Sequence, residues 1–138
     1  MKKKVFLGGT CNESDWRDKL IAKLHSVDYF NPVVPNWTPE CMEEELRQRE
    51  ICDFCLYVIT PKMTGTYSIA EVVDDSNKRP DKTLFCYLEN DFEFETRTLY
   101  KFNEGQLKSL SRVANMVKEN GAKVFNSLDE IAEYLNNI

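Results

Sequence analysis

Residues 54–60, with the sequence Phe-Cys-Leu-Tyr-Val-Ile-Thr, form a run that is apolar up to its final threonine. A strand with one face in water alternates apolar and polar residues, whereas a strand covered on both faces of a parallel sheet is apolar along its whole length. Helices cover such a sheet, because each crossover connection places one on a face. The run therefore predicts a layered α/β fold in which residues 54–60 form the central strand.

The rest of the chain alternates between strand patterns and helix patterns. Further strands are predicted at residues 4–7, 29–35, 83–88 and 122–125, and the prolines in 29–35 make it a short or edge strand. Helices are predicted to begin near Ser14, at Thr38-Pro39, after Thr66, before Leu107 and at the capping box Ser127-x-x-Glu130. This order predicts a flavodoxin-like (Rossmann-like) three-layer sandwich with a five-stranded parallel sheet, as a single domain over residues 1–138.

Residues 89–103 are acidic and aromatic without a clear hydrophobic period, which predicts a long loop. Long loops in small domains are commonly functional or mobile. The segment suits a contact surface between copies of the chain, a lid, or a loop that packs on itself. Its aromatic residues are Phe92, Phe94, Tyr100 and Phe102.

The composition excludes several classes of protein. A net charge of −5 argues against a binder of nucleic acid polymers, which needs a basic face. The apolar residues 5–7 after Lys2-Lys3-Lys4 are too few for a signal peptide or a membrane span. The five cysteines are an odd number and sit mostly in apolar segments, as reduced thiols do inside cells. We expect a cytoplasmic protein that handles small molecules and binds neither nucleic acid nor membrane.

The sequence also restricts the chemistry. His25 is the single histidine and lies at a helix end far from the predicted rim of the sheet, so no histidine-dependent catalytic group is assembled. The pair Cys52-x-x-Cys55 has no second pair and straddles a helix end and the buried strand, which favours packing thiols over a metal or redox site. No cofactor and no metal are expected. Carboxylate chemistry remains, with one acid as nucleophile or base and another as proton donor, as at a glycosidic bond.

The loops after the first, third and fourth strands should share one rim, where ligands bind in this architecture. Gly8-Gly9-Thr10 can bring backbone N–H groups close to a ligand, or can simply form a tight turn. Glu71 lies in the first turns of the helix after the central strand. An acid there often stabilises the helix dipole at the surface. The apolar residues around Glu71 instead favour a functional carboxylate near the cleft, because burying a carboxylate that has no function would be costly.

Three segments resemble the nucleoside 2-deoxyribosyltransferase-like family: the strand with Gly8-Gly9-Thr10 and residues 14–17, residues 30–37 (FNPVVPNW), and Ile69-Ala70-Glu71. The similarity spans roughly residues 4 to 90. The resemblance implies the flavodoxin-like fold and cleavage of the N-glycosidic bond of a 2′-deoxynucleoside or nucleotide. The deoxyribosyl group then passes to another base or to water. It also implies homo-oligomers in which a neighbour's loop completes the pocket.

The resemblance assigns roles to individual residues. Glu71 becomes the nucleophile that attacks C1′ of the sugar, and two displacements retain configuration. Glu45 becomes, by its spacing from Asp53, the carboxylate that holds the sugar hydroxyls, with Glu43, Glu44 and Glu50 as competitors, while Asp53 is structural. Trp16 or Trp37 offers an aromatic wall for the base, and Trp16 is equally suited to anchor its helix in the core. The other predicted substrate contacts are Gly8, Gly9, Thr10, Thr64, Gly65, Tyr67 and Ser68.

Two positions depart from the family pattern. Phe6 stands where well-studied members have a tyrosine that orients the nucleophile, and Thr64-Gly65 stands where they have an acid. Tyr67 is the candidate for the missing hydroxyl. These departures leave open a non-catalytic nucleotide-binding or regulatory module, a glycosidase of NAD-type ligands similar to TIR-like domains, and a protein that serves only in an assembly.

Overall fold

The computed structural model describes residues 2–11 and 14–138. The strands of its main sheet are β1 (Lys3–Gly9), β2 (Val27–Phe30), β3 (Phe54–Ile59), β4 (Thr83–Tyr87) and β7 (Lys123–Phe125). These five strands lie in the order β2-β1-β3-β4-β7, and all neighbouring pairs are parallel. The strand β3 is buried at every residue and lies at the centre. The predicted five-stranded α/β fold is thus confirmed.

Five helices connect and cover the strands. They are α1 (Trp16–Ile21), α2 (Pro39–Ile51), α3 (Tyr67–Lys78), α4 (Glu104–Glu119) and α5 (Leu128–Asn136), with a 3-10 turn at Pro80–Lys82. One apolar core joins the sheet to α1 and α5, and a second joins the opposite face to α3 and α4. The sheet, with helices packed on each of its two faces, forms the three layers of a flavodoxin-like sandwich.

The helix starts follow from local sequence. The Thr38 hydroxyl accepts from the Cys41 backbone N–H, and Pro39 takes the first helical position, where no N–H is needed. The Ser127 hydroxyl accepts from Glu130 N–H in the same way at the start of α5. Within the described residues, no helix is long and apolar enough to cross a membrane.

Two segments differ from the sequence prediction. The predicted long loop contains an antiparallel hairpin of β5 (Asn90–Glu93) and β6 (Thr98–Lys101), which turns through Arg97 at φ 55°. Strands of four residues have too few apolar positions to show a period, and contacts with residues distant in the sequence, such as Lys62–Glu93 at 3.1 Å, hold the hairpin. The strand β2 also ends at Phe30, because Pro32 lacks the N–H that a longer strand would use.

Candidate active site

A cavity of about 430 Å³ lies beyond the carboxyl end of β1, between that strand and the helices α2 and α3. We call its two sides the strand wall and the helix wall. The strand wall consists of Phe6, Gly8, Gly9, Cys11 and Arg17. The helix wall consists of Pro32, Trp37, Met42, Glu45, Leu46, Arg49, Tyr67, Ser68 and Glu71. A smaller cavity of about 130 Å³ adjoins it and shares Gly9, Cys11, Tyr67 and Ser68 with it.

The structure gathers most of the predicted site residues at these cavities. Seven of them line the larger one: Gly8, Gly9, Trp37, Glu45, Tyr67, Ser68 and Glu71. Thr10, Thr64 and Gly65 line the smaller one. Glu43 and Glu50, which competed with Glu45, are exposed on α2 outside both linings.

Trp16 lines neither cavity. Its side chain is 1% exposed in the core between α1 and the sheet, and its indole N–H donates to the Thr10 carbonyl at 2.9 Å. A ring without accessible surface has no face on which a base can stack. The assignment of Trp16 to the substrate wall is therefore wrong, and its alternative role as a core anchor is confirmed. Trp37, by contrast, is 58% exposed at the cavity.

The two glycines of the strand wall are required by packing as well as by the cavity. A Cβ on Gly8 would lie 2.6 Å from the Tyr57 ring. Gly9 has φ +120°, and a Cβ there would lie 2.1 Å from the Val58 carbonyl oxygen. Only glycine allows β1 to approach β3 this closely. The same absence of side chains leaves bare backbone facing the cavity.

Arg17 holds the strand wall in shape. Its guanidinium donates to the carbonyl oxygens of Leu7 at 3.0 Å, Thr10 at 2.6 Å and Gly9 at 3.2 Å. It also lies over the Trp16 ring, with its central carbon 4.5 Å from the ring centroid. Burial lowers the pKa of Arg17. The side chain thus fixes the backbone at the carboxyl end of β1.

Glu71 lies on α3 with 17% of its side chain exposed. Burial raises its pKa to about 7, against the opposing effect of Arg49, and the charges of Glu45 and Asp75 raise it further. The Arg49 Nη1 is 3.5 Å from Glu71 Oε2. An acid whose pKa lies near neutrality suits a group that must change its bonding or protonation during a reaction.

Glu45 lies on α2 in the same helix wall. Burial raises its pKa, while a hydrogen bond from the Trp37 side chain and the positive charges of Arg17 and Arg49 lower it. Glu45 and Glu71 lie close enough that the charge of Glu45 raises the pKa of Glu71. The cavity therefore holds two carboxyl groups whose charges interact.

The family departures occupy defined places. The Phe6 ring stacks on Phe30 with centroids 5.9 Å apart and offers the cavity no hydrogen bond. Thr64 and Gly65 are exposed in the loop before α3, and Tyr67, at the start of α3, is 71% exposed. The side chain of Tyr67 stands at both cavities.

The remaining sequence predictions concern structural residues. The Asp53 carboxylate accepts from Lys4 N–H at 2.8 Å, which confirms its structural role. The Cys52 thiol donates to Gln48 Oε1 and the Cys55 thiol to the Arg49 carbonyl, and burial raises the pKa of Cys55 to about 12. Both are protonated packing thiols. Among residues 2–11 and 14–138, no group of three or more His, Cys, Asp and Glu side chains has the arrangement of a metal site.

The family model described as nucleoside 2-deoxyribosyltransferase like matches residues 2–90. No curated protein shows significant sequence similarity to the chain. The matched range contains β1 to β4 and every residue that lines the two cavities, so the match covers the site itself. With the parallel five-stranded sheet, this places the chain in the nucleoside 2-deoxyribosyltransferase-like family.

Proposed function

We propose that this protein cleaves the N-glycosidic bond of a deoxynucleoside or nucleotide and passes the deoxyribosyl group to another base or to water. The observation that carries the proposal is the Glu71 carboxyl, largely buried at the cavity with a pKa of about 7 and with Glu45 beside it. The family supports the same chemistry.

The reaction begins when the ionised Glu71 attacks C1′ of the sugar. The bond from C1′ to the base nitrogen breaks, its electron pair stays with the base, and the base takes up a proton from solvent. The resulting glycosyl ester of Glu71 is then attacked at C1′ from the opposite face by a second base or by water, which loses a proton to solvent, and the carboxylate is freed. Two inversions give overall retention.

The other cavity residues position the substrate. Glu45 accepts hydrogen bonds from the sugar hydroxyls, and the bare backbone at Gly8 and Gly9 allows the sugar to approach β1. Trp37 stacks on the base, for which its exposed ring at the mouth of the cavity is suited. The smaller cavity beside Thr64 and Ser68 gives the substrate a further contact region.

The test is an incubation of the protein with deoxynucleosides and their monophosphates, with and without a second base, followed by detection of free base. NAD is included, because release of nicotinamide would indicate the TIR-like alternative. Glu71→Gln should lower base release by at least about a thousandfold, since the nucleophile is lost. Glu43→Gln makes the same chemical change on an exposed glutamate of α2 and should leave the rate unchanged.

Wild-type rates in Glu71→Gln would refute the nucleophile assignment. A panel that gives no free base, while one of its members raises the melting temperature, would instead support the non-catalytic binding module. That reading follows because a ligand bound only to the native state stabilises it.

A further inference from the structure

Arg49 is nearly buried at the end of α2 that is close to the sheet, and it reaches across to α3. Its Nη2 and Nε are 2.8 and 3.3 Å from the two carboxylate oxygens of Asp75, and Nη2 is also 3.3 Å from Asp74. A planar guanidinium bound through two nitrogens has a fixed orientation. The remaining nitrogen, Nη1, faces Glu71 at 3.5 Å.

Asp75 is itself held in place. It has no exposed side-chain surface, and it accepts from the Tyr57 hydroxyl and from Arg79 in addition to Arg49. Tyr57 is fully buried on the central strand β3. Asp75 therefore connects Arg49 to the fully buried central strand, and these hydrogen bonds fix the direction of Nη1.

We propose that Arg49 is a positioning residue that keeps the Glu71 carboxylate ionised and directed into the cavity, with Asp75 as its anchor. The proposal rests on the proposed function for its catalytic consequence. The charged groups that act on Glu71 are Arg49 and Glu45 from α2 and Asp75 from α3. Arg49 is the one cation among these three groups. The cavity is also lined by uncharged residues of β1 and by Arg17 of α1, whose charge acts on Glu45. Arg49 therefore lowers the pKa of Glu71, which burial and the charges of Glu45 and Asp75 raise.

The test compares Arg49→Gln and Arg49→Lys with the wild-type protein, and Arg47→Gln is the matched control. Arg47 lies two residues earlier on α2, is exposed, and pairs with Glu44 away from the cavity. The measurements are the pH dependence of kcat/KM for base release and the titration of Glu71. The titration is followed by NMR on protein with labelled glutamate carboxyl carbons, in which the signal missing from Glu71→Gln identifies Glu71.

Arg49→Gln should shift the ascending limb of the pH profile and the Glu71 titration together to higher pH. A shift of one unit lowers kcat/KM about tenfold at pH values below both limbs, because the ionised fraction falls tenfold. Arg49→Lys should shift them less, since lysine keeps a charge but cannot bind Asp75 and Glu71 through one planar group. Arg47→Gln should match the wild type.

A purely structural role for Arg49 predicts folded variants whose limb and Glu71 titration equal those of the wild type, and that result would overturn the proposal. If Arg49→Gln does not fold, Arg49→Lys decides, because an unchanged limb, an unchanged titration and an unchanged kcat in that variant would equally overturn it. The titration needs no substrate. If the wild-type protein releases no base from any member of the panel, the proposed function fails, and if Glu71→Gln retains base release, the assignment of Glu71 as nucleophile fails; the titration still tests the effect of Arg49 on Glu71 in either case.

Discussion

The two walls of the cavity each contain a buried arginine, and the partners of the two arginines differ in kind. In the strand wall, Arg17 donates to backbone carbonyl oxygens of the chain around the end of β1. In the helix wall, Arg49 faces three carboxylates, those of Glu71, Asp74 and Asp75. Carbonyl dipoles do not titrate, whereas carboxylates do.

The strand wall therefore determines the shape of the cavity, and the helix wall contains its carboxyl groups. The strand wall is fixed by hydrogen bonds and close strand packing that are independent of pH, and it gives the cavity its form. The helix wall contains the acids with raised pKa, and its charge changes near neutral pH. Substitutions in the strand wall should therefore mainly lower the free energy of unfolding. Substitutions in the helix wall should mainly change the pH dependence of activity and stability, and the binding of substrate.

The largest effect on stability is expected from Gly9→Ala, which disrupts the strand wall. The new Cβ would lie 2.1 Å from the Val58 carbonyl oxygen at a φ of +120°, so β1 and β3 must separate. We expect a loss of about 3 kcal/mol or more in the free energy of unfolding, measured by urea denaturation. Gly65→Ala is the control, because its Cβ meets nothing within 4 Å, and it should change stability by less than about 0.5 kcal/mol. Equal stability of the two variants would contradict this account of the strand wall.

The sequence predicted the sheet because its strands carry strong local signals. The strand β3 is apolar throughout, and α5 begins at a Ser127 cap, so each element could be recognised without its neighbours. The hairpin β5-β6 has no such signal, since its strands of four residues are mostly polar and their pairing depends on contacts such as Ser14 with Asp91. The prediction failed where the structure is decided by distant residues.

The residues of the site likewise divide into those with a local sequence signal and those without one. Glu71 could be placed at the cavity from its position on the helix after β3, and Trp37 from the resemblance to the family. Arg49 was missed because α2 is charged nearly all round, and nothing local distinguishes one arginine that turns inward from its exposed neighbour Arg47. Arg17 lay in a segment that the resemblance used, yet its carbonyl partners become visible only when β1 and α1 pack together.

Glu71→Gln should also change how the stability of the protein depends on pH. The pKa of Glu71 is about 7 in the folded chain and near the ordinary 4.5 when unfolded, so the folded protein binds this proton more tightly. The free energy of unfolding of the wild type should therefore fall as pH rises from about 4.5 to about 7. Glu71→Gln removes this loss, and the variant should be more stable than the wild type by about 2–3 kcal/mol at pH 8 and nearly equal to it at pH 4.

The measurement is the difference in unfolding free energy between Glu71→Gln and wild type across this pH range. Glu43→Gln serves as its control, since an exposed glutamate should give a difference that is small at every pH. If the difference in unfolding free energy between Glu71→Gln and wild type does not grow with pH, ionising Glu71 in the folded protein costs no more than ionising a surface acid.

The smallest effect on stability is expected from Trp37→Ala, which removes the indole ring from the helix wall. The ring is 58% exposed, so the free energy of unfolding should change by less than about 0.5 kcal/mol. Loss of stacking should instead raise KM for the nucleoside by about 5- to 150-fold, which corresponds to about 1–3 kcal/mol. Trp37→Phe keeps a stacking face but loses the indole N–H that acts on Glu45, so recovery of KM in this variant assigns the effect to stacking. If Trp37→Phe has the same raised KM as Trp37→Ala, the contact of the indole N–H with Glu45 is the important one. The control is Phe94→Ala, whose ring is exposed outside the cavity. This variant should match the wild type in KM and in the free energy of unfolding.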